Sequence, residues 1–171
     1  MTTTFSFDKQ LEMGKEGEAM FNKLYGHVFE YNNSKDVKAP DFVHKETGAI
    51  VEVKYDDSVR AHRDKDGKQI NFFVEQFSCA DNMSLGGPFR AVEEGVDYFV
   101  YMFKEPFRIF IMDCQKFRDR AAELIYNGNY RESYIKNRGW YTSGYCLPID
   151  RFSDCRIEGD VFAKGLKLNY N

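Results

Sequence analysis

Pro40-Asp41-Phe42-Val43-His44-Lys45-Glu46-Thr47-Gly48-Ala49-Ile50-Val51-Glu52-Val53-Lys54 reads as two short strands joined by a tight turn. Phe42, Val43, Ile50, Val51 and Val53 are strand formers. Lys45-Glu46-Thr47-Gly48 is turn material, with Gly48 supplying the positive φ that a four-residue hairpin loop often needs. Folding the chain about that turn sets His44 opposite Ala49, Val43 opposite Ile50, Phe42 opposite Val51 and Asp41 opposite Glu52. Directly opposed residues have Cβ atoms roughly 4.5–5.5 Å apart, and like charges at that separation destabilise a sheet. Two carboxylates placed there need a reason. Lys54 lies two residues beyond Glu52 and projects from the same face. Two carboxylates and an ammonium on one face suit a metal site with a cation beside it. A surface hairpin with unrelated charges is the alternative. Mg²⁺ is typically held by one or two carboxylates plus water and substrate phosphate.

A chain of 171 residues is expected to form one domain with a proper core. Its 43% hydrophobic and 30% charged residues fit a globular protein rather than a disordered one. The net charge of −3 excludes wholesale electrostatic coating of nucleic acid, which shows as a basic domain. Any basic groove must be local. Cys79, Cys114, Cys146 and Cys155 have neither zinc-finger nor redox spacing, so they read as free thiols of a reducing cytoplasm. No stretch has the length of a signal peptide or a membrane span. The expected location is cytoplasmic, in a bacterial cell or a phage-infected host.

Phe7 to Tyr25 reads as a helix capped by Asp8, with Leu11, Phe21, Leu24, Tyr25 and Val28 as its apolar stripe. Gly14 and Gly17 each weaken it by about 1 kcal/mol relative to alanine, and such glycines often admit a neighbouring backbone or a ligand. Glu18 sits on the flank of the stripe. A carboxylate there is costly unless it is paired or bound to metal; Glu12 and Glu16 compete for the same role. Phe29 to Lys38 reads as a polar connection in which Lys35 and Lys38 flank the hairpin. Asp56 to Lys68 is charged and without apolar periodicity, hence a loop, with Arg60, Arg63, Lys65 and Lys68 able to reach a nucleic-acid backbone or to remain solvated.

Ile70 to Ser78 is expected as a third strand, interrupted by Glu75 and Gln76, which a central strand tolerates only if they are satisfied. Gly86-Gly87-Pro88 opens a short helix, where exposed amides beside Arg90 suit an anion or simply make a turn. Val96 to Phe103 and Phe107 to Met112 read as buried strands. Asp113 caps a helix to Tyr126 whose inner face is Phe117, Ala121, Leu124 and Ile125, ended at Asn127-Gly128-Asn129. Short strands and loops follow from Tyr130. There Arg131, Lys136 and Arg138 mix with Tyr134, Trp140 and Tyr141, a combination suited to sugar-phosphate contact and base stacking or, for the tryptophan, to a core anchor.

Pro40-Asp41, a spacer, then Glu52-Val53-Lys54 resembles the signature of the PD-(D/E)XK nuclease superfamily, which includes restriction endonucleases, junction resolvases and phage nucleases. Gly14-Lys15-Glu16-Gly17-Glu18 before Ala19-Met20-Phe21 is similar to the first-helix pattern of its resolvase-like members. The resemblance covers about the first hundred residues. It implies an α/β (α+β) restriction-endonuclease-like core over about 7–113, a mixed central sheet flanked by helices, with the rest of the single domain beyond it. It implies that Asp41, Glu52 and the carbonyl of Val53 bind Mg²⁺, with Mn²⁺ able to substitute. Glu18 would complete the site or support it, with Glu16 as fallback. Lys54 would orient or help deprotonate the attacking water, or neutralise charge growing on phosphorus, and Glu75 or Gln76 would assist. The implied function is a metal-dependent deoxyribonuclease, an endonuclease on duplex or branched DNA; a homodimer would supply the two sites that cutting both strands takes. The alternatives are a catalytically silent nucleic-acid-binding protein of the same fold, or an interaction protein that inhibits a host enzyme through its many aromatics.

Overall fold

Helix α1 (Phe7–Tyr25) has the bounds its apolar spacing predicts. The computed structural model describes residues 7–32, 40–57 and 62–168; the Asp8 cap lies outside the described side chains. Phe21 is fully buried and Met13, Met20 and Tyr25 pack beside it. Leu11 and Leu24, expected in the same stripe, are exposed, because α1 presses only one narrow face on the sheet below. The contact is closest at Gly17, where a Cβ would lie 2.4 Å from the Cβ of Tyr55. At Gly14 a Cβ would meet nothing. One of the two glycines is therefore required by packing.

The residues after α1 correct the expected polar connection. Phe29–Tyr31 is a strand, β1, antiparallel to β2 (Phe42–His44). Phe29 is buried and stacks on Phe162 at 4.7 Å between ring centroids. A single large ring thus holds three residues in extended form, a signal too short for periodicity to reveal. Strand β2 and strand β3 (Ile50–Asp56) form the hairpin in the expected register, Phe42 opposite Val51 and Val43 opposite Ile50, with Gly48 at φ +72° in the turn.

The strand Asn71–Cys79, β4, exists as expected but belongs elsewhere. It is in a second, antiparallel sheet with β5 (Ser84–Leu85), β9 (Tyr141–Pro148) and β8 (Glu132–Lys136), ordered β5-β4-β9-β8. The neighbour of β3 is instead β6 (Tyr98–Phe103), parallel to it, followed by antiparallel β7 (Arg108–Asp113). The first sheet is therefore mixed, ordered β1-β2-β3-β6-β7. Between β5 and β6 lies α2 (Gly87–Glu93), with Pro88 in its first turn. Asp113 caps α3 (Cys114–Asn127) by accepting the Lys116 amide at 3.0 Å, as its sequence predicts. A short helix, α4 (Gly159–Ala163), lies near the end.

Alternation along β3 and β6 divides the core in two. Val51, Tyr55, Tyr98, Val100 and Met102 face α1 and Phe162 of α4. Phe99, Tyr101 and Phe103 face the opposite way, onto Phe72 and Leu147 of the second sheet and Phe117 of α3. Parallel partners share a face, so Glu52, Lys54 and Asp56, set against Phe99, Tyr101 and Phe103, also point between the sheets. The four cysteines are free. Among the described residues no helix is long and apolar enough to cross a membrane.

Candidate active site

The hairpin register carries Asp41 to the position opposite Glu52, one step beyond the Phe42–Val51 pair. Asp41 Oδ2 accepts the amide of Val53 at 2.7 Å, which pins the carboxylate to β3. Val53 thus enters the site through its N–H. Glu52 keeps only 16% of its side chain exposed and accepts Arg90 Nη2 at 2.9 Å on Oε1. Burial pushes both acids up, and the charge of Asp41 adds to the rise of Glu52. Asp41 rises to about 6, with the field of Glu18 adding to burial and the Val53 amide opposing it. Glu52 rises to about 8, driven by burial and then by Asp41, against the pull of Arg90. Two carboxylates that resist ionising together are what an ion between them would relieve.

Lys54 lies 3.4 Å from Asp56 Oδ1. Its pKa is raised, chiefly by Asp56 and against burial, with Glu75 and Glu52 adding to the effect. The ammonium therefore stays charged: it donates to or neutralises an anion rather than taking a proton from water. Asp56, expected to begin a charged loop, is buried at the end of β3. Its Oδ2 accepts the hydroxyl of fully buried Tyr101, and His62 Nε2 stands 3.7 Å away. Tyr101 Oη in turn accepts the Phe73 amide at 3.1 Å. Burial holds the pKa of His62 down, so it is neutral at pH 7. Tyr101, Asp56 and Lys54 form a relay of contacts that fixes the lysine from below.

Glu75 reaches the same pocket from the second sheet. The pocket holds about 90 Å³ and is lined by Glu52, Lys54, Glu75, Pro88, Arg90 and Tyr101 among others. Gly86 and Gly87 make room for Glu75: a Cβ on Gly86 would lie 2.1 Å from its Oε1, and Gly87 at φ +47° approaches its carbonyl. The start of α2 is thus covered by a carboxylate of this chain, which favours the structural turn over the anion seat, the two alternatives its sequence offers. Gln76 falls at the β-bulge where β4 slips against β9 and does not line the pocket.

Glu18 lies near Asp41, within reach of its charge, and is held by Tyr31. Its Oε2 accepts the hydroxyl of Tyr31 at 2.7 Å, and its charge raises Asp41. Glu16 turns away to Lys104, 2.9 Å from its Oε1. Among the described residues no three His, Cys, Asp or Glu side chains are grouped to hold a metal ion, so Glu18 does not complete a three-acid cage. The donor set is two carboxylates. In each, one oxygen is engaged by Val53 or Arg90, and the other has no hydrogen bond among the described residues. That fits a hard cation completed by water and phosphate.

Of the described basic residues expected to contact nucleic acid, Arg90 is the one gathered into the acid cluster beside Lys54, where it also meets Glu94 at 3.5 Å. Arg63 bonds the carbonyl of Gly67 inside its own turn, and Lys65 is exposed on that turn. Lys136 and Arg138 are exposed at the end of β8, two strands from Glu75 in the second sheet. Lys35, Lys38 and Arg60 lie outside the described residues. Asp56, Tyr101, His62, Glu94 and Tyr31 are the neighbours that reading the sequence misses. Asp56 had a signal, since it continues the period-two series of Glu52 and Lys54. No family model matches this chain, and neither curated proteins nor solved structures show a significant match to it.

Proposed function

We propose that this protein is a divalent-metal-dependent nuclease that hydrolyses phosphodiester bonds of DNA, a PD-(D/E)XK-like enzyme. The observation that carries the reading is the half-buried pair Asp41–Glu52, opposed across a hairpin, each with an oxygen to give, beside the charged Lys54. The mixed sheet, with β3 antiparallel to β2 and parallel to β6 and with α1 packed on it, is compatible with that reading at the level of fold class, although the strand expected over Ile70 to Ser78 lies in the second sheet.

Asp41 and Glu52 would hold Mg²⁺ or Mn²⁺. The ion would polarise a phosphoryl oxygen and lower the pKa of an attacking water. Lys54, kept cationic by Asp56, stabilises negative charge growing on the phosphorus centre. The Phe99–Tyr101 face sets the lysine at the edge of the apolar interior, with 37% of its side chain still exposed, where its charge acts more strongly than in open water.

A plasmid-nicking assay with Mg²⁺, with Mn²⁺ and with chelator tests the reading. Cleavage is expected with either metal and not with chelator. Asp41→Ala and Lys54→Ala are each expected to lower the rate by at least about 100-fold and to leave DNA binding in a gel-shift assay within a few fold. Absence of cleavage under any divalent ion, with DNA still bound, would favour a second reading, a silent DNA-binding protein. The Glu52–Arg90 ion pair is the observation on its side, because a guanidinium can neutralise a carboxylate with no metal present.

A further inference from the structure

We infer that Arg90 is a displaceable stand-in for the cation: it competes with a divalent ion for Glu52 and, when released, takes a phosphate of the nucleic acid, so that ion and DNA bind cooperatively. The inference rests on the metal-site reading above and adds to it an ordered coupling between the two ligands. Arg90 Nη2 occupies Glu52 Oε1 at 2.9 Å. The rest of the guanidinium is poorly used. Its Nε is buried without a hydrogen bond, although Glu94 Oε2 lies 3.5 Å away. Guanidinium offers five donors in a fork that matches two phosphate oxygens, so an arginine held by one strong bond has capacity for a phosphate. A second cation on Glu52 would face this one at short range. The repulsion falls if the guanidinium moves to an incoming anion, and the pocket that Arg90 lines with Lys54 and Glu52 is where that anion would enter. Each ligand then makes room for the other, and by linkage the effect is reciprocal.

The test is Mn²⁺ titration by calorimetry of the full chain, alone and with a short phosphorothioate duplex that resists cleavage. In the unmodified protein the duplex is expected to tighten Mn²⁺ binding about tenfold. Arg90→Ala is expected to bind Mn²⁺ about tenfold tighter without DNA, to bind the duplex about tenfold more weakly, and to lose the coupling. Arg90→Lys keeps the charge but not the fork, so its Mn²⁺ affinity should stay near the original while duplex affinity falls. Thermal melts establish that each variant folds, and Arg90→Gln serves if alanine does not. The inference is overturned if Arg90→Ala binds Mn²⁺ no tighter, or if the coupling survives it. If the unmodified protein binds no Mn²⁺ with or without duplex, and Asp41→Asn changes nothing, the metal site itself falls and the inference with it. An arginine that merely fastens α2 to β3 would lower stability and move neither affinity.

Discussion

Tyr101 does at residue scale what a core phenylalanine cannot. Its hydroxyl is fully buried, accepts the Phe73 amide and donates to Asp56, which in turn holds Lys54. Removing that oxygen strands a buried amide and an oxygen of a buried carboxylate, and an unmet buried polar group costs about 1–3 kcal/mol. Tyr101→Phe should therefore lose about that much stability by urea denaturation. It should also slow cleavage through Lys54 without changing duplex affinity. Stability unchanged within about 0.5 kcal/mol would show that water replaces the hydroxyl and that the relay is not structural. The nearer residues of the site were readable because one rule places them: opposed positions on a hairpin share a face, and so do alternate positions on a strand. That rule yields Asp41, Glu52 and Lys54, and it yields Asp56 as well. The charges that follow Asp56 hide it, and its burial depends on Tyr101, 45 residues away, a distance over which periodicity carries no information.

Elements add constraints that no single side chain shows. Helix α1 touches the sheet closely at Gly17, where any Cβ would sit 2.4 Å from Tyr55 Cβ and 2.9 Å from its Cγ. That closeness also brings Glu18 to Tyr31 and into the field of Asp41. Gly17→Ala should push the helix outward and cost about 1–3 kcal/mol, the usual penalty of overpacking. Gly14→Ala, one turn earlier and facing open space, should instead gain up to about 1 kcal/mol from helix propensity. Chemical denaturation of the two variants checks the contrast; equal effects would mean that α1 does not pack as described. The glycines themselves were visible in the sequence, but not which of them is pressed. The same limit governs β4. Its apolar residues announce a strand, yet period two is identical for a strand in either sheet. The choice was made by the bulge at Gln76 and the six residue pairs that β4 makes with β9 more than sixty residues on, so Glu75 comes to the pocket across a sheet interface and not along one sheet. Gly86→Ala provides the matching test. The added methyl meets the Glu75 carboxylate at 2.1 Å and should displace it from the pocket, lowering Lys54-dependent turnover with little effect on folding, since the clash is with the end of a flexible side chain.

The whole molecule couples the acid pair to folding, and this gives the site a signature that needs no substrate. Asp41 rises from an ordinary 3.8 to about 6 and Glu52 from 4.5 to about 8 on folding. The folded chain therefore binds these protons more tightly than the unfolded one. By linkage, stability from the pair is full below about pH 4, the ordinary carboxylate range. It is lost as pH climbs through 6 and then 8. His62 works against this slope from the other side. Its pKa is lowered in the folded chain, so it destabilises as pH falls below about 6.5. Above about pH 7.5 the histidine is neutral in both states, and Glu52 should dominate the trend, with the thiols of Cys114, Cys146 and Cys155, whose pKa burial raises, adding to it in the same direction: melting temperature falls with rising pH. A divalent ion held by the pair, as proposed, would reverse that fall, because it would bind the deprotonated carboxylates and only the folded chain presents them assembled. The rise in melting temperature caused by about 10 mM Mg²⁺, roughly ten times a dissociation constant of about 1 mM, should thus be larger at pH 8.5 than at pH 6. Glu52→Gln should flatten the trend without metal, since a neutral amide has no proton to lose, and should abolish the metal-induced rise. A shift of equal size at both pH values, or one that persists in Glu52→Gln, would place the ion elsewhere on the surface and leave the opposed carboxylates as a protonated structural pair.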